Sequence, residues 1–304
     1  MTTPSTVAAP CGLLNLNKPS GWTSRAAVDR VTRIWRKTKV GHAGTLDPLA
    51  SGVLVLCVGQ ATRLIEYVQQ MPKSYRTVVL LGSRSDTLDA DGTVVADPTA
   101  VAPERAAVEQ AVASQVGVIQ QIPPQFSALK REGKRAYDLA RAGVVVDLAA
   151  RAVTITRVEI LSYEWPRLTL EVDCGSGTYI RSIARDIGEM LGCGGMVEVL
   201  IRTKIGPFTV EDAVDPDTLD AENLAELLRP PIGAVPSLPR VNLVDAQIVD
   251  ILQGRPLRID DPAIPAGEVA MMGPDGRLAA IGEWKPEEGK LWPRRVLASM
   301  PVIA

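Results

Sequence analysis

Histidine is nearly missing from this chain: its 304 residues contain one, His42, alongside four cysteines, Cys11, Cys57, Cys174 and Cys193, none of them in a CxxC pair. A zinc site of the His/Cys kind needs more ligands than that, and scattered cysteines do not make a disulfide framework, so we expect reduced, mostly buried thiols and no metal. No apolar run approaches the roughly 20 residues that span a bilayer, and the opening MTTPSTVAAP lacks the basic-then-apolar order of a signal peptide. The expected location is the cytoplasm. There is no Walker loop, and CGSGTYI lacks the third glycine of a dinucleotide fingerprint. Ser176 in that segment is outside a GxSxG elbow, which argues against a serine hydrolase, and no cofactor is expected.

Against those absences stands GHAGTLDPLASGVL, where Gly41, His42, Gly44, Thr45, Asp47, Pro48, Ser51 and Gly52 crowd ahead of the apolar run Val53 to Val58. Such a segment reads as a tight loop feeding a buried strand, the kind of place where a scaffold presents reactive groups. Read alone, Asp47 also suits a turn cap, and His42 an ordinary surface or core residue. An aspartate on a tight loop can act as a nucleophile if a cation keeps it charged, and Arg181 and Arg185 are the candidates. Tyr75 and Tyr179 offer flat faces for a nucleobase.

The net charge of −2 conceals an asymmetry: residues 1–80 hold ten Lys or Arg against three Asp or Glu, whereas residues 206–304 hold nine against sixteen. Two basic clusters stand out, Arg30, Arg33, Arg36, Lys37 and Lys39 before the loop, and Lys130, Arg131, Lys134, Arg135 and Arg141 further on. Clustered cations near a candidate site point to a polyanionic partner, although solvated helix faces also produce such runs.

Periodicity predicts helices over Ser24 to about Arg36, 103–116, Thr178 to about Leu191 and Val244 to Gln253, with a basic helix from Lys134 to Arg141 and an acidic one near Asp217 to Leu228. Alternation predicts strands at Arg76 to Leu81, Val153 to Ile160, Leu168 to Val172 and Met196 to Arg202. PPIGAVPSLP, 230–239, reads as a linker to a small β-rich module.

LNKPSGWTS, GHAGTLDPLASGVLVLCVGQATR, KSYRTVVLLGSRSDTLDADG, PPQFSALKREGKRAYDLARAG and DCGSGTYIRSIARDIG follow in this order, and together resemble the bacterial tRNA pseudouridine-55 synthase family of the TruB type. The resemblance runs from about residue 12 to 208. It implies a mixed α/β fold, α+β in kind, with a mainly antiparallel central sheet flanked by helices and an active cleft across its middle. It also implies a catalytic domain over 1–235 with a thumb-like insertion at about 124–150, and a PUA-like RNA-binding module over 240–304. The implied reaction is an isomerisation of uridine 55 in the tRNA T stem-loop, carried out by a monomer. By position in the motifs, Asp47 would be the nucleophile, Tyr75 would stack on the uracil and take the carbon 5 proton, and Arg181 would pair with Asp47 and stabilise its carboxylate. His42 would occupy the space of a flipped nucleotide, Tyr179 and Leu200 would line the base pocket, Lys18 would brace the loops, and Arg202 would be a further substrate-binding residue. Phe126 replaces the family's tyrosine in PPxYSA, and Ile201 the first arginine of its LRR. The alternative is a tRNA-binding or RNA-folding protein without chemistry; Asp47, Tyr75 and Arg181 occurring together speak against it.

Overall fold

The run Val53–Val58 becomes the centre of the molecule because both of its faces are covered. In this computed structural model, which describes residues 10–126, 130–131, 134–135, 148–259 and 264–298, strand β3 (Ser51–Val58) pairs antiparallel with β1 (Gly12–Lys18) and with the short β2 (Val40–His42). Leu54 and Leu56 enter one apolar core with Leu14, Leu16 and helix α1 (Ser24–Ile34), while Val53, Val55 and Cys57 enter another with Leu13 and Phe208. An alternating strand with both faces buried reads as continuous hydrophobicity, which is the pattern seen.

Beyond a short helix α2 (Ile65–Gln70), the sheet continues through β4 (Lys73–Leu81). A side hairpin of β5 (Ser83–Ser85) and β6 (Val94–Ala96) follows, then α3 (Arg105–Ala113) and β7 (Gly117–Gln121). Next come the two-residue strands β8 (Lys130–Arg131) and β9 (Lys134–Arg135), the long hairpin β10 (Arg151–Glu164) and β11 (Arg167–Cys174), helix α4 (Ile180–Met190), β12 (Gly195–Ile205) and β13 (Phe208–Thr209). The order across the main sheet is β1-β3-β12-β4-β11-β10-β7, with β2 and β13 attached to β3 and β12. All pairs are antiparallel except β3 with β12, where Arg202 lies beside Gly52. Gly52 has φ 98°, and a Cβ there would stand 2.3 Å from the Arg202 carbonyl oxygen, so no other residue fits.

The fold class is the expected one, a mixed α/β architecture with a mainly antiparallel sheet. Two helix expectations are corrected. Lys134 and Arg135 are strand, paired with Arg131 and Lys130; the rest of that predicted helix, to Arg141, falls outside the described residues. The acidic segment forms a single 3-10 turn (Pro216–Thr218) and then turns. Aspartates there satisfy the backbone locally: Asp215 accepts from the Asp217 N–H, and Asp220 accepts from those of Glu222 and Asn223. This competition outweighs apolar spacing, and Leu219 and Leu224 still reach the core.

The last strands, β14 (Arg240–Asn242), β15 (Leu257–Arg258), β16 (Gly267–Met272), β17 (Leu278–Lys285) and β18 (Lys290–Val296), form a second sheet around its own core, with α5 (Asp245–Leu252) against it. Ala270, Met272, Leu278 and Ile281 also pack into the core that contains Val53 and Val55, and Arg295 pairs with Glu66 at 2.7 Å.

Candidate active site

The loop between β2 and β3 is held from outside, by side chains that reach its main chain. Arg202, 1% exposed, donates from Nε to the Val53 carbonyl at 2.7 Å, from Nη2 to Gly44 at 3.1 Å and from Nη1 to Thr45 at 3.3 Å. Ser24, buried in the first turn of α1, accepts from the Leu46 N–H at 2.8 Å and donates to the Leu46 carbonyl at 3.0 Å. Lys18, at the end of β1 and fully buried, donates to the carbonyls of Pro19, Trp22 and Pro48 at 2.9, 2.6 and 3.3 Å. Burial lowers its ammonium to about 8, against the favourable field of Asp47. Asp91 accepts from the Leu49 N–H at 3.0 Å. A loop so braced has little freedom left, which is what fixes the direction of the Asp47 side chain.

That side chain meets Arg181, the second residue of α4. Arg181 Nη2 lies 2.9 Å from Asp47 Oδ2, and Nη1 lies 3.2 Å from Asp89 Oδ2. The same guanidinium donates to the carbonyls of Thr87 at 2.8 Å and Phe126 at 2.9 Å. Arg181 and Asp89 are 5% and 4% exposed, whereas Asp47 is 34% exposed and so open to a substrate. Burial raises the Asp89 carboxyl, opposed by the Thr87 hydroxyl at 2.5 Å and by Arg181.

Tyr75 sits on the buried face of β4, opposite Arg202 in the neighbouring strand and 7% exposed; burial raises its phenol, so it is neutral at physiological pH. Leu200, opposite Thr77, shares the core of Tyr75 and Leu46. Tyr179 is half-buried at the N-cap of α4, two residues from Arg181. His42 ends β2 opposite Leu56, half-buried, at the start of the loop that carries Asp47. Sheet order thus brings Asp47, Tyr75, Arg181, Lys18 and Arg202 into one electrostatic neighbourhood. Arg185, the other candidate cation, pairs with Asp186 instead, at 2.7 Å, and Ser176 is exposed ahead of α4. In the first basic cluster Arg30 serves the fold through the Pro216 and Leu219 carbonyls, while Arg33, Arg36, Lys37 and Lys39 are exposed.

Asp89, Ser24 and Asp91 were not candidates from sequence. The clue to Asp89 and Asp91 was the density of Asp and Thr in SDTLDADG, where Leu88 adopts φ 63°.

The mainly antiparallel central sheet has counterparts among solved structures. The protein superposes on a chain of the Cbf5–Nop10–Gar1 complex with TM-score 0.70, 25% identity and coverage of 98% of this chain and 91% of that one. A chain of an H/ACA ribonucleoprotein bound to a substrate RNA gives TM-score 0.69 at 24% identity, covering 95% and 85%. In sequence, residues 32–180 match the N-terminal domain of TruB family pseudouridylate synthases, 181–232 the tRNA pseudouridylate synthase B C-terminal domain, and 239–297 the TruB C-terminal domain of pseudouridine synthase II. The tRNA pseudouridine synthase B of Aromatoleum aromaticum is 43% identical over 95% of this chain and 93% of its own length. That of Pseudomonas fluorescens is 41% identical over 95% and 96%. The chain belongs to the TruB family.

Proposed function

We propose that this protein is a tRNA pseudouridine synthase that isomerises uridine 55 of the T stem-loop. The observation that carries the proposal is the pairing of Asp47 with Arg181: the one acidic side chain of a fully braced loop is held beside a buried guanidinium, yet is a third open to solvent. The target base leaves its stack at a cost of a few kcal/mol, and His42 fills the space it vacates. Asp47 attacks at carbon 1 of the ribose as the carbon 1–N1 bond breaks, and the base leaves with that electron pair. The base turns, carbon 5 returns a pair to carbon 1 and displaces the carboxylate, and the neutral Tyr75 hydroxyl takes the carbon 5 proton as it gives up its own while N1 gains one, so atoms and charge balance without a cofactor. Tyr179 and Leu200 line the base pocket, and Lys18 and Arg202 brace the loop.

The exposed cations Arg33, Arg36, Lys37 and Lys39 hold phosphates without reading bases. The catalytic domain over 1–235 bears the insertion at about 124–150, and the module over 240–304 adds a limited RNA-facing surface. On this reading the protein works as a monomer in the cytoplasm.

The test uses T-arm RNA tritiated at uridine carbon 5. Wild type should release the label and Asp47→Asn should not. Equal release by both removes Asp47 as nucleophile; none from either favours a protein that binds RNA without chemistry.

A further inference from the structure

Gln121 is fully buried, and its amide is bonded at both ends to the main chain of one residue. Its Nε2 donates to the Tyr179 carbonyl at 3.1 Å, and its Oε1 accepts from the Tyr179 N–H at 2.8 Å. Tyr179 is the N-cap of α4, and no side chain of its own caps that helix. A glutamine placed in this way takes over the backbone bonding that a neighbouring strand would supply. Directly opposite Gln121 in the β7–β10 register is Arg151. Its guanidinium carbon lies 4.9 Å from the centroid of the Tyr179 ring, and its Nη2 donates to the Gly177 carbonyl. Two cross-strand neighbours therefore grip one tyrosine, Gln121 by the main chain and Arg151 by the ring. They sit at the two ends of the chain segment that leaves the sheet after β7 and returns at β10.

The grip continues into the catalytic helix. Ser182 donates to the Ile122 carbonyl at 2.9 Å, and Arg181 to the Phe126 carbonyl. Tyr179 is thus fixed relative to Arg181 by the pair that flanks the segment, and not by the packing of α4 alone.

We infer that Gln121 and Arg151 are positioning residues for the isomerisation, setting the plane and depth of the Tyr179 ring in the base pocket; this rests on the function proposed above. A misplaced pocket wall slows the chemical step while leaving phosphate contacts intact, since a displacement of an ångström can cost about 100-fold.

Arg151→Met and Gln121→Glu are compared with wild type in single-turnover tritium release at saturating T-arm RNA, with RNA affinity measured separately. Gln121→Glu keeps an acceptor for the Tyr179 N–H and sets a carboxyl against the Tyr179 carbonyl in place of the amide donor, so its thermal midpoint is measured alongside. The expected result is a rate lowered by about 10- to 100-fold with affinity within about twofold. Arg151→Lys, which retains a cation over the ring, should recover part of the rate. In a Tyr179→Leu background, Arg151→Met should cost less than about twofold more, because the two act through one another. An unchanged rate, a loss carried wholly by affinity, or a full additional loss in the Tyr179→Leu background overturns the inference. If wild type itself releases no tritium, the isomerase reading falls and the inference with it; if wild type turns over and the variants match it, only the inference falls.

Discussion

Replacing Arg181 with methionine separates what its guanidinium does for the fold from what it does for Asp47. The guanidinium faces two carboxylates of different exposure, Asp89 at 4% and Asp47 at 34%. Removing one partner of a buried pair costs about 3–5 kcal/mol, because the charge left behind stays desolvated. Nearly all of this falls on Asp89, since water screens the open side of Asp47. Arg181→Met should therefore unfold about 4 kcal/mol more easily than wild type near neutral pH. Burial already raises the Asp89 carboxyl, and without its cation the group takes up a proton more readily still. The folded variant then binds more protons than the unfolded chain, so its deficit should narrow as pH falls from neutral into the acidic range. Adding Asp89→Asn removes the stranded charge while leaving the Thr87 hydroxyl and Asp91 N–H with a partner oxygen. The double variant should regain about 2 kcal/mol of stability and none of the turnover, which should stay at least about 100-fold down for want of the preorganised donor. Urea unfolding at neutral and acidic pH, alongside single-turnover tritium release, gives both numbers. A double variant no more stable than the single would refute Asp89 as the stranded charge, and one that recovers turnover would make the guanidinium a structural group only.

His42→Ala should slow turnover of folded tRNA more than that of an unstructured T-loop fragment, because only the folded substrate has a stack to leave; equal losses would argue against a wedge. Lys18 is held near 8 in the fold against 10.5 for an exposed lysine, so the unfolded chain binds the extra proton between these values. The stability of wild type relative to Lys18→Met should on this account rise with pH across that window when unfolding is followed at successive pH values, since Lys73, also lowered to about 8 by burial, contributes alike to both. Arg202→Lys exchanges a fork that serves Val53, Gly44 and Thr45 for a single ammonium. It should destabilise the protein by about 2 kcal/mol, read as a lower thermal midpoint, and an unchanged midpoint would mean that the carbonyls are served by other donors.

What could be read in the sequence follows how local its cause is. Asp47 was legible because glycine density and Asp-Pro mark a tight loop ahead of a continuous apolar run, and that signal lies within fifteen residues. Arg181 and Tyr75 were legible as members of ordered motifs. Asp89, Ser24 and Gln121 were not, because each works on a main-chain atom or cation that the sheet order brings from far along the chain: Gln121 serves Tyr179, and Asp89 serves Arg181. Hydrophobic periodicity carries no information about such partners. It also misled at 217–228, where helical spacing of leucines coexists with aspartates that prefer to close turns.

The charged groups around Asp47 divide between those that serve the main chain and one that serves carboxylates as well. Lys18 and Arg202 direct their donors to carbonyls, which are neutral, whereas Arg181 divides its donors between carbonyls and the carboxylates of Asp47 and Asp89. Counting Asp91, three carboxylates stand among these three cations, and Lys73, within the field of Arg202, adds a fourth cation. The Asp47 carboxylate is therefore offset by the cations around it and does not by itself repel an approaching phosphate. On the function proposed above, attraction falls to the exposed cations before the loop, Arg33, Arg36, Lys37 and Lys39, which act at range and are screened by salt within about 10 Å at moderate ionic strength. Added salt should thus weaken RNA capture while leaving the rate of bound RNA untouched, since the pairs that set Asp47 in place include donors and acceptors already withdrawn from solvent.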